Sequence, residues 1–175
     1  MTPWQVTFKE TLANLSKERL SLQPVRTAVV GMGHELRGDD AAGIEVARAL
    51  RPLAHQQLLV IDAGHAPENH TGPIRRFAPE LVLLVDAAQL GEAPGAVRWL
   101  AWQETTGLSA STHTMPPYVL ARYLTAELNT HIALIGIQPA DTSLGATLSP
   151  EVRQAVNGVV QMFRNTLGQT AHSKR

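Results

Sequence analysis

Four side chains in this sequence could do chemistry together: Asp40, Asp62, Asp86 and His113. The three aspartates follow apolar runs, Ala28-Val29-Val30, Gln57-Leu58-Leu59-Val60-Ile61 and Leu81-Val82-Leu83-Leu84-Val85, each of which reads as a buried strand. His113 comes late in a polar stretch, Thr105 to Thr114, that reads as a flexible loop ahead of Met115-Pro116-Pro117. Two carboxylates and an imidazole on separate loops make a hard-to-borderline ligand set with open coordination positions. That set suits nickel, zinc, iron or manganese, and a substrate or water would complete the shell. Asp62 reads three ways, as a third ligand, a general base or an acceptor that orients another group. Each residue also has an ordinary reading, because loop histidines commonly make surface hydrogen bonds and acids at strand ends commonly cap or solvate.

The first aspartate sits in the most informative stretch, Gly31-Met32-Gly33-His34-Glu35-Leu36-Arg37-Gly38-Asp39-Asp40-Ala41-Ala42-Gly43. A strand, a glycine-rich turn and a helix start in this order usually offer backbone N–H groups and a helix dipole to a phosphate. Here Asp39 and Asp40 occupy that place. They are expected to satisfy the orphan N–H groups themselves and to repel a pyrophosphate, so the site reads as one for a cation. A dinucleotide oxidoreductase is the runner-up on this stretch alone. It fails on spacing: G-x-G-x-x-G needs glycine where Leu36 stands, and Asp62 follows Gly31 by 31 positions rather than about 20. No G-x-S-x-G elbow supports serine hydrolase chemistry. Among the other histidines, His34 and His65 lie beside the acids, while His55, His70, His131 and His172 take no role.

These residues need a scaffold, and composition bounds it. A chain of 175 residues with 44% hydrophobic and 17% charged content suits one compact domain. Fifteen basic and fifteen acidic side chains give a formal net charge of +0, which offers nothing to nucleic acid or to a membrane surface. Cysteine is absent, excluding disulfides, thiolate metal sites and a cysteine nucleophile, and making a cytoplasmic location the default expectation. No apolar run approaches the roughly 18 residues of a membrane span, and the N-terminus lacks the charge-then-apolar order of a signal peptide.

Along the chain, residues 3 to 20 carry Trp4, Phe8, Leu12 and Leu15 at helical spacing. A linker to Pro24 follows, then strand one over about 27 to 32 and helix one over about 41 to 51. The loop after Asp62 reads as long and polar, with a short helix over Pro73 to Phe77. Ala96 to Trp102 forms a fourth strand near an edge, Pro116-Pro117 opens a helix with Leu120 and Leu124 on its buried face, and His131 to Ile137 is the fifth strand. Ser149-Pro150-Glu151 starts the last helix. The expected organisation is an N-terminal helical extension and linker (1–24), one α/β domain (25–167) and a frayed tail (168–175). Alternating helices and continuously apolar strands imply an α/β three-layer sandwich, its five-stranded twisted sheet mostly parallel and covered by helices on both faces. Ligands in such folds sit beyond the carboxyl ends of the strands where the strand order reverses, and all four candidate residues can reach that rim.

Five motifs, taken in order, resemble a known family. They are Gly31-x-Gly33 with Gly38-Asp39-Asp40-x-x-Gly43; Ile61-Asp62-x-Gly64 with Ala66-Pro67-Glu68-Asn69; Leu84-Val85-Asp86-Ala87; Thr112-His113-x-Met115-Pro116; and Gly136-Ile137-Gln138-Pro139. Together they are similar to the nickel-iron hydrogenase maturation endopeptidases, in particular the branch serving the formate-hydrogenlyase type of hydrogenase. The likeness runs from about residue 27 to 165. It implies an endopeptidase that removes a short C-terminal extension from a NiFe-hydrogenase large-subunit precursor once nickel has been inserted, with the nickel supplied by the precursor rather than held permanently. Carried over by position, Asp40, Asp86 and His113 are the metal ligands. Asp40, Asp62 and Asp86 are the candidate catalytic acids, and whether metal or acid drives hydrolysis stays open. The family fold carries one antiparallel strand, here matched to strand four. A non-cleaving, nickel-dependent chaperone of the precursor is the alternative. The chain departs from the family pattern at His34, where asparagine is usual, and in the helix ahead of strand one.

Overall fold

The computed structural model describes residues 1–19, 22–108 and 115–168. The apolar runs form five strands: β1 (Thr27–Met32), β2 (Leu58–Gly64), β3 (Leu81–Ala87), β4 (Val97–Ala101) and β5 (His131–Ile137). They make one sheet in the order β2-β1-β3-β5-β4. β1, β2, β3 and β5 run parallel, and β4 closes one edge antiparallel to β5. Among the described residues five α-helices cover it: α1 (Pro3–Lys17), α2 (Ala42–Leu50), α3 (Thr71–Phe77), α4 (Pro117–Glu127) and α5 (Pro150–Leu167).

Strand residues point alternately to the two faces, and β3 shows why its run has no polar break. Leu81, Leu83 and Val85 join one apolar cluster with Val46 of α2 and Val159 of α5. Val82 and Leu84 join a second with Ile74 of α3 and Leu120 and Leu124 of α4. Every residue of β3 is buried, as expected of a central strand covered on both sides. The N-terminal helix shares the first cluster. Phe8 is completely buried, with its ring centroid 5.1 Å from Phe163 and 6.2 Å from Trp99, and such burial is worth roughly 1.5–3 kcal/mol.

The structure differs from the sequence reading at the connections. Helix one is where the sequence put it, as α2, but a 3-10 turn, Gly38–Ala41, that the sequence reading did not foresee leads into it. The loop after Asp62 is shorter than expected, because a second 3-10 turn, Pro67–His70, runs straight into α3. Asp62 and Asp86 lie inside β2 and β3 rather than after them. The Thr105–Thr114 stretch starts as structure, since Trp102–Thr105 is a 3-10 turn and the buried Thr105 hydroxyl donates to the Trp102 carbonyl at 2.7 Å. Residues 109–114 of that stretch, His113 included, and the tail beyond Gly168 lie outside the described residues. Among the described residues no helix is long and apolar enough to cross a membrane.

Candidate active site

The sheet reverses its direction of growth between β1 and β3, which is the place where open α/β sheets bind ligands. Asp40 stands in the 3-10 turn after β1, and Asp86 is the next-to-last residue of β3. Two glycines bring them close. At Gly43, the second residue of α2, a Cβ would fall 2.0 Å from the Val85 carbonyl oxygen and 2.4 Å from that of Met32, so the helix start presses onto both strand ends. Gly33, at φ +137°, passes so near the Asp40 carbonyl that a Cβ would sit 1.8 Å from its oxygen. The turn is closed by N–H donations from His34 to the Asp40 carbonyl (3.2 Å) and from Asp40 to the Arg37 carbonyl (3.0 Å).

The result is a buried acid pair. Asp40 is 1% and Asp86 4% exposed, and among the described residues neither carboxylate oxygen of Asp40 has a hydrogen-bond partner. Burial raises the Asp40 carboxyl above its ordinary range. The nearby backbone N–H of His34, which donates to the Asp40 carbonyl rather than to its carboxylate, and the charges of His34 and Arg37 draw it partly back. Asp86 is pushed well above its ordinary value, first by burial and then by the charge of Asp40, with the Ala87 backbone N–H opposing. An ionised carboxylate left without donors in such a place is expensive. Protonation or a cation would relieve it, and orphaned oxygens on a pair of facing acids fit a cation. Among the described residues no three His, Asp or Glu side chains group closely enough to hold a metal, so a full ligand set needs a further donor.

The neighbouring acids behave differently. Asp39, fully buried, does not cap the helix as the sequence suggested: neither the 3-10 turn nor α2 has a side-chain cap. Its carboxylate accepts the N–H groups of Ala140 (2.8 Å), Asp141 (3.0 Å) and Ser149 (2.7 Å) and the Ser149 hydroxyl (2.9 Å). Asp39 therefore clasps the 139–149 loop to the turn. Asp62 is one-quarter exposed and is ion-paired to Arg48, whose Nε donates to Oδ2 at 2.8 Å. With His34, His65, Glu35 and Arg48 it lines a cleft of about 490 Å³ beside the buried pair. The His34 and His65 rings stack there with centroids 5.5 Å apart.

Sequence reasoning missed Arg48 as a site-forming residue and gave Gln138, quoted only within a motif, no structural role. Gln138 is buried after β5. Its Oε1 accepts the Leu90 N–H (2.7 Å), and its Nε2 donates to Gln89 Oε1 (3.1 Å) and the Pro139 carbonyl (3.2 Å). A buried glutamine at the end of an apolar strand was the available signal. His55, given no role, has a structural one: its Nε2 lies 3.0 Å from the Leu167 carbonyl at the end of α5.

Comparison with known proteins agrees with this architecture. The HycI hydrogenase maturation protease family model matches residues 44–166. The hydrogenase 3 maturation protease of Escherichia coli K12 is 30% identical over 138 residues, 78% of this chain and 88% of that one. A NiFe hydrogenase maturation protease HycI from Thermococcus kodakarensis superposes with a TM-score of 0.76 at 30% identity, over 89% of this chain and 99% of that one. The solution structure of endopeptidase HycI from Escherichia coli gives a TM-score of 0.71 at 28% identity, over 85% and 99%. The chain belongs to the hydrogenase maturation protease family, and is a hydrolase of the endopeptidase kind.

Proposed function

We propose that this protein removes the C-terminal extension of a NiFe-hydrogenase large-subunit precursor, and that it recognises the precursor by the nickel already seated there. The observation that carries the reading is the buried Asp40–Asp86 pair at the switch point of the sheet, with both Asp40 oxygens lacking partners among the described residues. A permanent occupant is not required by that geometry; a cation delivered with a substrate satisfies it equally. Asp40 and Asp86 would grasp the nickel together with His113. Support for the histidine comes from the residues flanking it. Leu108 accepts the N–H of Gln89 at 2.9 Å, just beyond Asp86, and Met115 packs against the α4 side of the core. His113 follows Leu108 by five positions, a span of at most about 17 Å.

Grasping nickel positions the scissile peptide, and positioning alone can lower a barrier by several kcal/mol. Asp62 is the acid left for proton transfer. It faces an open cleft that admits water, and its strand adjoins the turn through the Gly33 N–H, which donates to the Gly64 carbonyl at 3.0 Å. In this mechanism Asp62 takes a proton from water as the water oxygen attacks the scissile carbonyl carbon. The C–N bond then breaks, and the proton passes to the departing amine.

The test compares nickel-loaded with nickel-free precursor incubated with the purified protein. Processing, read as a mobility shift, is expected only for the loaded form. Equal processing of both removes nickel gating, and binding of the loaded form without a shift makes the protein a chaperone rather than a protease.

A further inference from the structure

We infer that Arg48 is the positioning residue for Asp62: carried on α2 and braced against Glu35, its guanidinium fixes the Asp62 carboxylate relative to the turn that holds Asp40. The inference rests on the reading of Asp62 as the proton acceptor and deepens it.

Asp62 lies near the end of β2, which among the described residues is an edge strand paired with β1 alone, so the sheet by itself holds that side chain from one side. Among the described residues, Arg48 is the hydrogen-bond donor to its carboxylate. The guanidinium is itself held. Its Nη2 donates to Glu35 Oε2 at 2.8 Å, and Glu45 Oε1 stands 3.8 Å from Nη1. A planar fork engaged on two sides has little freedom left to rotate. Asp62 Oδ2 accepts that hydrogen bond, and Oδ1 is the oxygen it leaves over. Glu35 belongs to the same turn as Asp40, and α2 follows that turn directly. One arginine thus joins the two walls of the cleft, the turn on one side and the end of β2 on the other.

These ion pairs contribute little to folding. Arg48, Glu35 and Asp62 side chains are 46%, 57% and 25% exposed, and pairs of that kind are worth about 0–1 kcal/mol. Their consequence belongs to the chemistry.

Steady-state cleavage of nickel-loaded precursor by Arg48→Gln, Arg48→Lys, Asp62→Asn and the Arg48→Gln/Asp62→Asn double variant tests this, with Tm measured on each. Arg48→Gln is expected to lower kcat about tenfold, or ~1.4 kcal/mol of barrier. KM should stay within about twofold and Tm should hardly move. Arg48→Lys, which keeps charge and one donor, should recover part of the loss. On the residual rate of Asp62→Asn, adding Arg48→Gln should cost nothing more, the sign that Arg48 acts through Asp62. Full kcat in Arg48→Gln beside a crippled Asp62→Asn overturns the inference, as does a double variant in which the two losses multiply. Full-rate cleavage by Asp62→Asn overturns the Asp62 reading instead.

Discussion

Asp39 and Asp40 are adjacent in the chain and equally buried, yet the structure treats them in opposite ways. Asp39 receives four donors, three backbone N–H groups and one hydroxyl, all from the segment at residues 140–149. Asp40 receives none among the described residues and instead stands near enough to Asp86 for its charge to raise that carboxyl. A buried carboxylate with four donors is part of the fold. One with none, facing a second acid, costs stability and persists only where something else uses it. Burial alone does not separate structural from functional acids; hydrogen-bond satisfaction does.

The widest separation should come from exchanging their fates by mutation. Asp40→Ala, like His113→Ala, is expected to abolish precursor processing, a loss of at least about 100-fold, while circular dichroism and Tm show an intact fold. Normal cleavage by both variants would remove the site assignment. Asp39→Ala should do the reverse in order of cause. It strands three N–H groups and a hydroxyl in the interior, and should cost on the order of 3–5 kcal/mol in a urea titration. Any activity it loses should follow from unfolding.

The sequence showed the apolar strands well because both faces of the sheet are covered, so that the runs Leu81–Val85 of β3 and Ile132–Ile137 of β5 carry no polar break; the limit of β3 was misjudged only where Asp86 interrupts it. It also placed Asp40, Asp62 and Asp86 at one rim, since each follows an apolar run in a parallel sheet. It failed at Asp39, expecting a helix cap, because the real partners lie 101 to 110 positions away and no local pattern reports so distant a loop. Ser149 shows the same blindness from the other end. It was read as a helix start and does precede α5, but its hydroxyl goes to Asp39 and makes no cap. Arg48 carries no signal in the sequence beyond its place in the helix after Gly43. Its tie to Asp62 depends on β2 pairing beside β1, which is tertiary information.

Asp86 allows the cost of the functional pair to be measured. Its folded pKa is raised above the ordinary 3.8. The folded protein therefore holds the proton more tightly than the unfolded chain, and the associated stability is full below 3.8 and lost as pH rises through the folded value. Asp86→Asn cannot ionise and escapes that loss. Without metal, the variant should be more stable than the parent at pH 8 and by a smaller margin at pH 5, while precursor processing disappears. A variant that melts lower than the parent at both pH values would mean that Asp86, like Asp39, serves the fold.

The smallest expected effect probes how the Asp39 clasp divides its work. Ser149→Ala removes one donor, the hydroxyl at 2.9 Å, and leaves the N–H groups of Ala140, Asp141 and Ser149 in place. Three donors still hold the charge, so the loss should be about 1 kcal/mol, lowering Tm by roughly 2–4 °C for a chain of this size. Processing of nickel-loaded precursor at a temperature well below Tm should be unchanged, because Asp40 and Asp86 keep their surroundings. A loss of activity larger than the loss of folded protein would mean that the clasp sets the position of the turn, and with it Asp40, rather than merely holding the loop.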